Sequence, residues 1–197
     1  MNWADKPEIY KSIPSCKSVQ LPSQHQESTI LFAEVLQRRK SVRAFSTQPL
    51  SKADLAFLLW ASTGIQRVEH GYEFRTAPSA GALYPIETYI SANNVEGLEN
   101  GIYHYNIRNH LLEEIKTGNF GDALAHAALD QKMCAVAPAV FIWTAFFGRS
   151  KWKYRREPTD TSIWMRGILR RTWRWQQQAL PVDPVKSGLS LPMKLTQ

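Results

Sequence analysis

The sequence predicts an α+β domain, and three stretches carry that expectation. "PLSKADLAFLLWASTGI" (49–65) has the pattern of a capped amphipathic helix. "GIYHYNIRNHLLEEI" (101–115) has two β-prone runs around the turn "NIRNH". "AVFIWTAFF" (139–147) is apolar on both alternating faces, the pattern of a central strand covered on two sides. Helices and strands mix without regular β-α-β alternation, which argues against a doubly wound parallel sheet.

Taken in order, residues 1–28 are polar, punctuated by Pro and Ser, and predict an extended lead-in. "STILFAEVLQRRK" (28–40) opens on a Ser/Thr cap and spaces Ile30, Leu31, Val35 and Leu36 for one helical face. In the next helix Ser51 caps, Asp54 stands in the capping-box position, Leu55, Leu58 and Leu59 form the stripe, and Gly64 stops it. "PIETYISAN" (85–93) alternates like a strand, and "NFGDALAHAALDQKM" (119–133) predicts a third helix.

A length of 197 residues with 44% hydrophobic and 21% charged residues fits one globular domain. The apolar run 134–147 is too short to span a bilayer and contains Pro138. The first residues lack the basic and apolar regions of a signal peptide, so a cytoplasmic chain is expected. Cys16 and Cys134 lie far apart without a CxxC or a neighbouring His, the pattern of buried or idle thiols. His70, His104, His110 and His126 show no metal spacing, and no metal is expected. The net charge of +7 is unevenly spread, with +3 over residues 1–155 and +4 over residues 156–197. The body is therefore not basic enough to predict a nucleic-acid partner, and no membrane partner is expected either.

Two constellations carry chemistry. In "RRKSVRAF" (38–45), Arg39, Ser41 and Arg43 lie two apart where a helix gives way to extended chain. Guanidinium forks and a hydroxyl in that arrangement suit a phosphate, and equally they suit a helix end whose basic residues complement the dipole. In "RTAPSAGALYP" (75–85), prolines and Gly81 fix an irregular loop whose small residues Ser79, Ala80 and Ala82 allow close approach to a flat ligand. An ordinary Pro/Gly turn is the simpler alternative.

Together these segments, with "PEIYKSIPS" before them and "KWKYR" after, resemble the nitroreductase family over roughly positions 6–155. Within it they are most similar to the SagB-type branch, which includes the azoline dehydrogenases of thiazole/oxazole peptide biosynthesis. The resemblance implies a nitroreductase-like FMN-dependent fold, a central mostly antiparallel sheet flanked by helices, in a domain spanning 29–155. It implies a homodimer with FMN at the subunit interface, a peptide substrate and a partner cyclodehydratase. On matching positions, Arg39, Ser41 and Arg43 would hold the flavin phosphate and ribityl chain, and Pro78, Ser79 and Ala80 would line the flavin ring. Lys153 and Tyr154 match the branch's Lys-Tyr pair, with the lysine as base and the tyrosine as relay. Read without the resemblance, they are a surface pair with snorkelling stems. NAD(P)H-dependent reduction of nitro compounds or quinones is the alternative activity.

After Tyr154 the resemblance stops, so the C-terminal helix and strand of the family are expected to be missing or scrambled. Residues 156–197 hold Trp164, Trp173, Trp175, five arginines and a Gln triplet without helical or strand period. A shifted reading frame offers an explanation. Codons for Trp164-Met165 force Asp in that frame, and those for Trp175-Gln176 force Ala. From Glu157 onward the degenerate codons permit "ADRYIYMDAGHIAQNLALAATGL", the family's next segment in register. The expectation is a frameshift near 155–157, leaving a truncated chain with weak or absent FMN binding and activity. The rival is a basic-aromatic arm that binds RNA or single-stranded DNA.

Overall fold

A computed structural model describes residues 3–14, 16–23, 31–41, 43–154 and 189–190. The expected loss of the C-terminal helix and strand falls on residues 155–197, which apart from 189–190 lie outside the described residues. The expected sheet is present. Its strands are β1 (Ser18–Gln20), β4 (Ile86–Ala92), β5 (Gly101–Asn106), β6 (Leu111–Thr117), β7 (Ala139–Ala145) and β8 (Leu189–Ser190), ordered β1-β6-β5-β4-β7-β8. Every pairing is antiparallel except β7 with β8.

Helix α2 (Lys52–Thr63) follows its sequence signals closely. Ser51 Oγ accepts from the Asp54 backbone N–H at 3.0 Å and donates to the Asp54 carboxylate at 2.6 Å. Its stripe of Leu55, Leu58 and Leu59 is fully buried against Ile90, Tyr103, Tyr105, Leu112 and Phe141 of the sheet. Side chains two apart on a strand share a face, so the opposite face of the sheet carries Glu87, Tyr89, His104, Asn106 and Glu113. Helices α3 (Gly121–Ala127) and α4 (Met133–Val136) cover part of that second face through Ala125, Cys134 and Val140. The lead-in covers another part.

Four expectations need correction. The helix over 28–40 is shorter, α1 (Phe32–Arg38), because Arg39 leaves helical geometry at ψ 115°. Its Ser/Thr cap falls outside the described residues. Of its predicted stripe Val35 is buried, whereas Leu31 and Leu36 are 70% and 45% exposed. The single helix over 119–133 is divided into α3 and α4, since Leu129 and Asp130 adopt φ of 62° and 57°. Strand β7 is covered on both faces only over Ala139–Phe141; it stands next to the two-residue β8, and Thr144 is exposed. The strand predicted through Phe147 ends at Ala145, where helix α5 (Phe147–Lys153) follows. A hairpin of β2 (Ile65–Glu69) and β3 (Tyr72–Arg75) was not anticipated; His70-Gly71, both at positive φ, make its turn.

Among the described residues no helix is long and apolar enough to cross a membrane. Among the same residues no cluster of three or more His, Cys, Asp or Glu side chains could hold a metal ion.

Candidate active site

Loop 76–85 leaves the hairpin and delivers the chain to β4. Thr76 ties its start to α2 and to the residue that ends it, through Thr76 Oγ1 to the Trp60 carbonyl at 3.1 Å and its N–H to the Gly64 carbonyl at 2.9 Å. Ser79 shapes its middle, its carbonyl accepting from Ala82 N–H at 3.0 Å and its hydroxyl from Tyr84 N–H at 2.9 Å. Gly81, Ala82 and Tyr84 all lie at positive φ (65°, 51° and 43°). Such backbone is held only where the surroundings over-determine it, and it concentrates at functional sites. Pro78 and Ala80 are exposed and Ser79 is half-buried.

Lys153 and Tyr154 stand against this loop. A Cβ built on Gly81 would lie 2.7 Å from Lys153 Nζ and 3.2 Å from the Tyr154 hydroxyl. The structure thus brings together two of the groups singled out from sequence, separated by some seventy residues, and the missing side chain of Gly81 makes the room.

Arg149, one turn before Lys153 on α5, holds the assembly. It is 4% exposed. Its Nε donates to the Glu8 carbonyl at 2.7 Å and a terminal nitrogen donates to the Tyr84 carbonyl at 2.8 Å. Its other terminal nitrogen pairs with the Glu87 carboxylate. One guanidinium therefore joins lead-in, loop, sheet and helix. Glu87 Oε2 continues to His104 Nε2 at 3.2 Å, and His104 Nδ1 lies 2.7 Å from Glu113 Oε2. Asn106 Nδ2 and the Ile13 N–H also donate to Glu113, at 2.7 and 3.1 Å. Burial pushes the Glu87 carboxyl up, but the bonds from His104 and Arg149 outweigh it and hold its pKa below the ordinary value.

Arg39, Ser41 and Arg43 are not part of this assembly. They are exposed on the extended segment after α1. That segment leads to Phe45, which packs on the Cys134, Ala137 and Val140 cluster, and to Thr47, whose carbonyl accepts from Asn94 Nδ2 at 3.2 Å. Both anchors lie at the end of the sheet where Ala92 pairs with Ala139, whereas the loop and α5 flank the other end, where Ile86 pairs with Ala145. Six residue steps along β4 separate those ends, about 20 Å.

Sequence reading missed Arg149, Glu87, His104 and Glu113. The available signal was polar side chains at alternate positions of otherwise apolar strands, Glu87 in "PIETYI" and His104 with Asn106 in "YHYN".

The family model described as Nitroreductase family matches residues 36–169. The chain belongs to the nitroreductase family. It is thus a member of an oxidoreductase enzyme family. The match continues beyond Arg155, past the point where the motif resemblance ends. A protein of Methanocaldococcus jannaschii named as a nitroreductase, MJ1384, is 39% identical over 132 residues, covering 67% of this chain and 64% of that protein. The trifolitoxin-processing protein TfxB of Rhizobium leguminosarum bv. trifolii is 36% identical over 93 residues, covering 45% of this chain and 25% of TfxB. The chain therefore spans less than two thirds of either relative. Among solved structures, a nitroreductase-named protein from Ralstonia eutropha aligns with a TM-score of 0.66 at 23% identity, over 86% of this chain and 75% of that one. A chain of the E. coli microcin synthetase McbBCD complex with truncated pro-MccB17 aligns at 0.56 and 20% identity, over 83% and 64%. These two share the fold.

Proposed function

We propose that the chain derives from an FMN-dependent SagB-type dehydrogenase that oxidises azoline rings in peptides to azoles. The observation that carries the reading is Lys153 and Tyr154 seated on the small-residue loop at Gly81. The names of TfxB, a trifolitoxin-processing protein, and of the microcin synthetase complex with truncated pro-MccB17 support the peptide-modifying branch. By the same comparison, a cyclodehydratase is the partner expected.

The residues fit a flavin. Pro78, Ser79 and Ala80 offer a surface free of large side chains, and a Cβ at Gly81 would fill the adjoining cradle. Bound FMN would supply the two-electron acceptor. Lys153 would take the proton from the ring carbon as the hydride leaves the neighbouring position for the flavin, and Tyr154 would hold the resulting ammonium or pass its proton outward. Arg39, Ser41 and Arg43 would hold the phosphate. Because they stand at the far end of the sheet from the loop, a flavin touching both sets is completed by a second copy, which supports a homodimer.

We also read the sequence beyond about Arg155 as shifted in frame, which leaves this chain with weak flavin binding and low activity. Nucleotide sequence across codons 150–197 tests it, and a shifted frame without the "AGHIAQN" segment overturns it. The second reading is NAD(P)H-dependent nitro or quinone reduction, favoured by the name of MJ1384 and its longer match. Bleaching of bound flavin under anaerobic conditions separates the two. An azoline peptide as the bleaching agent supports the oxidase, and NADPH as the bleaching agent supports the reductase.

A further inference from the structure

A cavity of about 420 Å³ lies beneath the lead-in, between it and the polar face of the sheet. Pro7 and Tyr10 contribute the roof, Tyr89 and Thr144 the floor, and Phe146 a side wall, with the Glu87–Arg149 pair at the back. The volume falls in the range of small-molecule sites.

Its chemistry selects a neutral apolar occupant. Glu87 and Arg149 neutralise each other, and both are turned to partners inside the protein. The remaining charges, Glu8 and Lys11, are exposed and of opposite sign, and Lys11 Nζ donates to the Tyr89 hydroxyl at 2.6 Å. What is left to an occupant is three aromatic rings, a proline and an alanine, surfaces suited to another ring or a branched alkyl group. The roof is fixed rather than draped. Arg149 holds the Glu8 carbonyl, Arg75 donates to the Ile9 carbonyl at 2.8 Å, and the Tyr10 ring lies between the Arg75 and Arg108 guanidiniums, 4.8 Å from each.

Position links the cavity to the Lys-Tyr pair. Arg149 in its back wall and Lys153 are four residues apart on α5, hence on one helix face and about 6 Å apart along the axis. We infer that this cavity seats an aromatic or bulky aliphatic side chain of the peptide substrate, one flanking the ring that reacts at Lys153. The inference rests on the peptide-oxidase reading and adds a sequence preference to it.

The test is binding of N-acetyl-phenylalanine amide and N-acetylglycine amide to the full chain, followed by saturation-transfer NMR. Burial of the phenyl group predicts saturable binding at least about tenfold tighter than for the glycine amide. Thr144→Trp, which fills the floor, and Lys11→Trp, which fills the mouth from an exposed position that folding tolerates, each erase the difference. Equal affinity for the two amides, or a preference unchanged in a folded Lys11→Trp chain, overturns the inference. A separate measurement, turnover of azoline peptides with phenylalanine or glycine beside the ring, tests the underlying reading. Absence of all turnover by flavin-loaded chain, with the binding preference intact, counts against the oxidase and not against the seat.

Discussion

The two ends of the central sheet are built on different principles. At the end where Ile86 meets Ala145, buried charges fix the geometry. Arg149 ties four segments together and Glu87, His104 and Glu113 continue the chain of contacts through the second face of the sheet. At the end where Ala92 meets Ala139, Arg39, Ser41 and Arg43 stand exposed on extended backbone, anchored through Phe45 and Thr47. The first end satisfies its polar groups within one chain; the second leaves three polar side chains exposed. On the reading proposed above, the locked end would serve a reacting centre and the exposed guanidiniums a phosphate.

The contrast breaks most readily at Glu87. Glu87→Gln leaves Arg149 and His104 facing a neutral amide in a buried site, and the expected cost is about 3–5 kcal/mol of unfolding free energy. Urea denaturation of the two chains measures it, and a cost like that of a surface substitution would show that the network does not hold this end.

The same carboxylate gives a pH test. Its folded pKa is held below its ordinary 4.5, so the stabilisation is fully present above that value and is lost as pH falls through the lower, folded one. Thermal unfolding followed from pH 6 downward, in steps of about one unit, should show a decline through the acid range that Glu87→Gln lacks.

Gly81→Ala acts on geometry more than on stability. The φ of 65° costs a side chain about 1–2 kcal/mol, and its methyl displaces Lys153 Nζ. The expected result is a changed acylation rate at Lys153, read by mass spectrometry after a brief reaction, with the chain still folded. An unchanged rate would separate Lys153 from the loop.

The smallest effect on the fold is expected at the other end. Arg39→Ala with Arg43→Ala should shift stability by no more than about 0.5 kcal/mol, since both are exposed. The same pair should weaken flavin retention, followed by fluorescence on dilution. A large loss of stability would place these arginines in the fold rather than at a ligand.

Local rules were sufficient for some of this protein. Ser51, Asp54 and Gly64 delimit α2 because a cap, a capping partner and a stop act over a few residues. Strand β4 follows from alternation, and β5 and β6 from two β-prone runs around a turn. The division of 119–133 did not follow, because its alanines favour helix throughout, whereas exposed Leu129 and Asp130 turn to positive φ and Gln131 N–H bonds back to the Ala125 carbonyl. Sequence also supplied Lys153, Tyr154 and the loop as separate motifs. Their meeting at Gly81, the Arg149–Glu87–His104–Glu113 contacts behind it and the bond from Arg149 to the Glu8 carbonyl join residues up to about a hundred and forty positions apart. No periodicity encodes such a meeting. It arises when the sheet registers its strands and burial leaves each charge to be satisfied by its protein neighbours rather than by water.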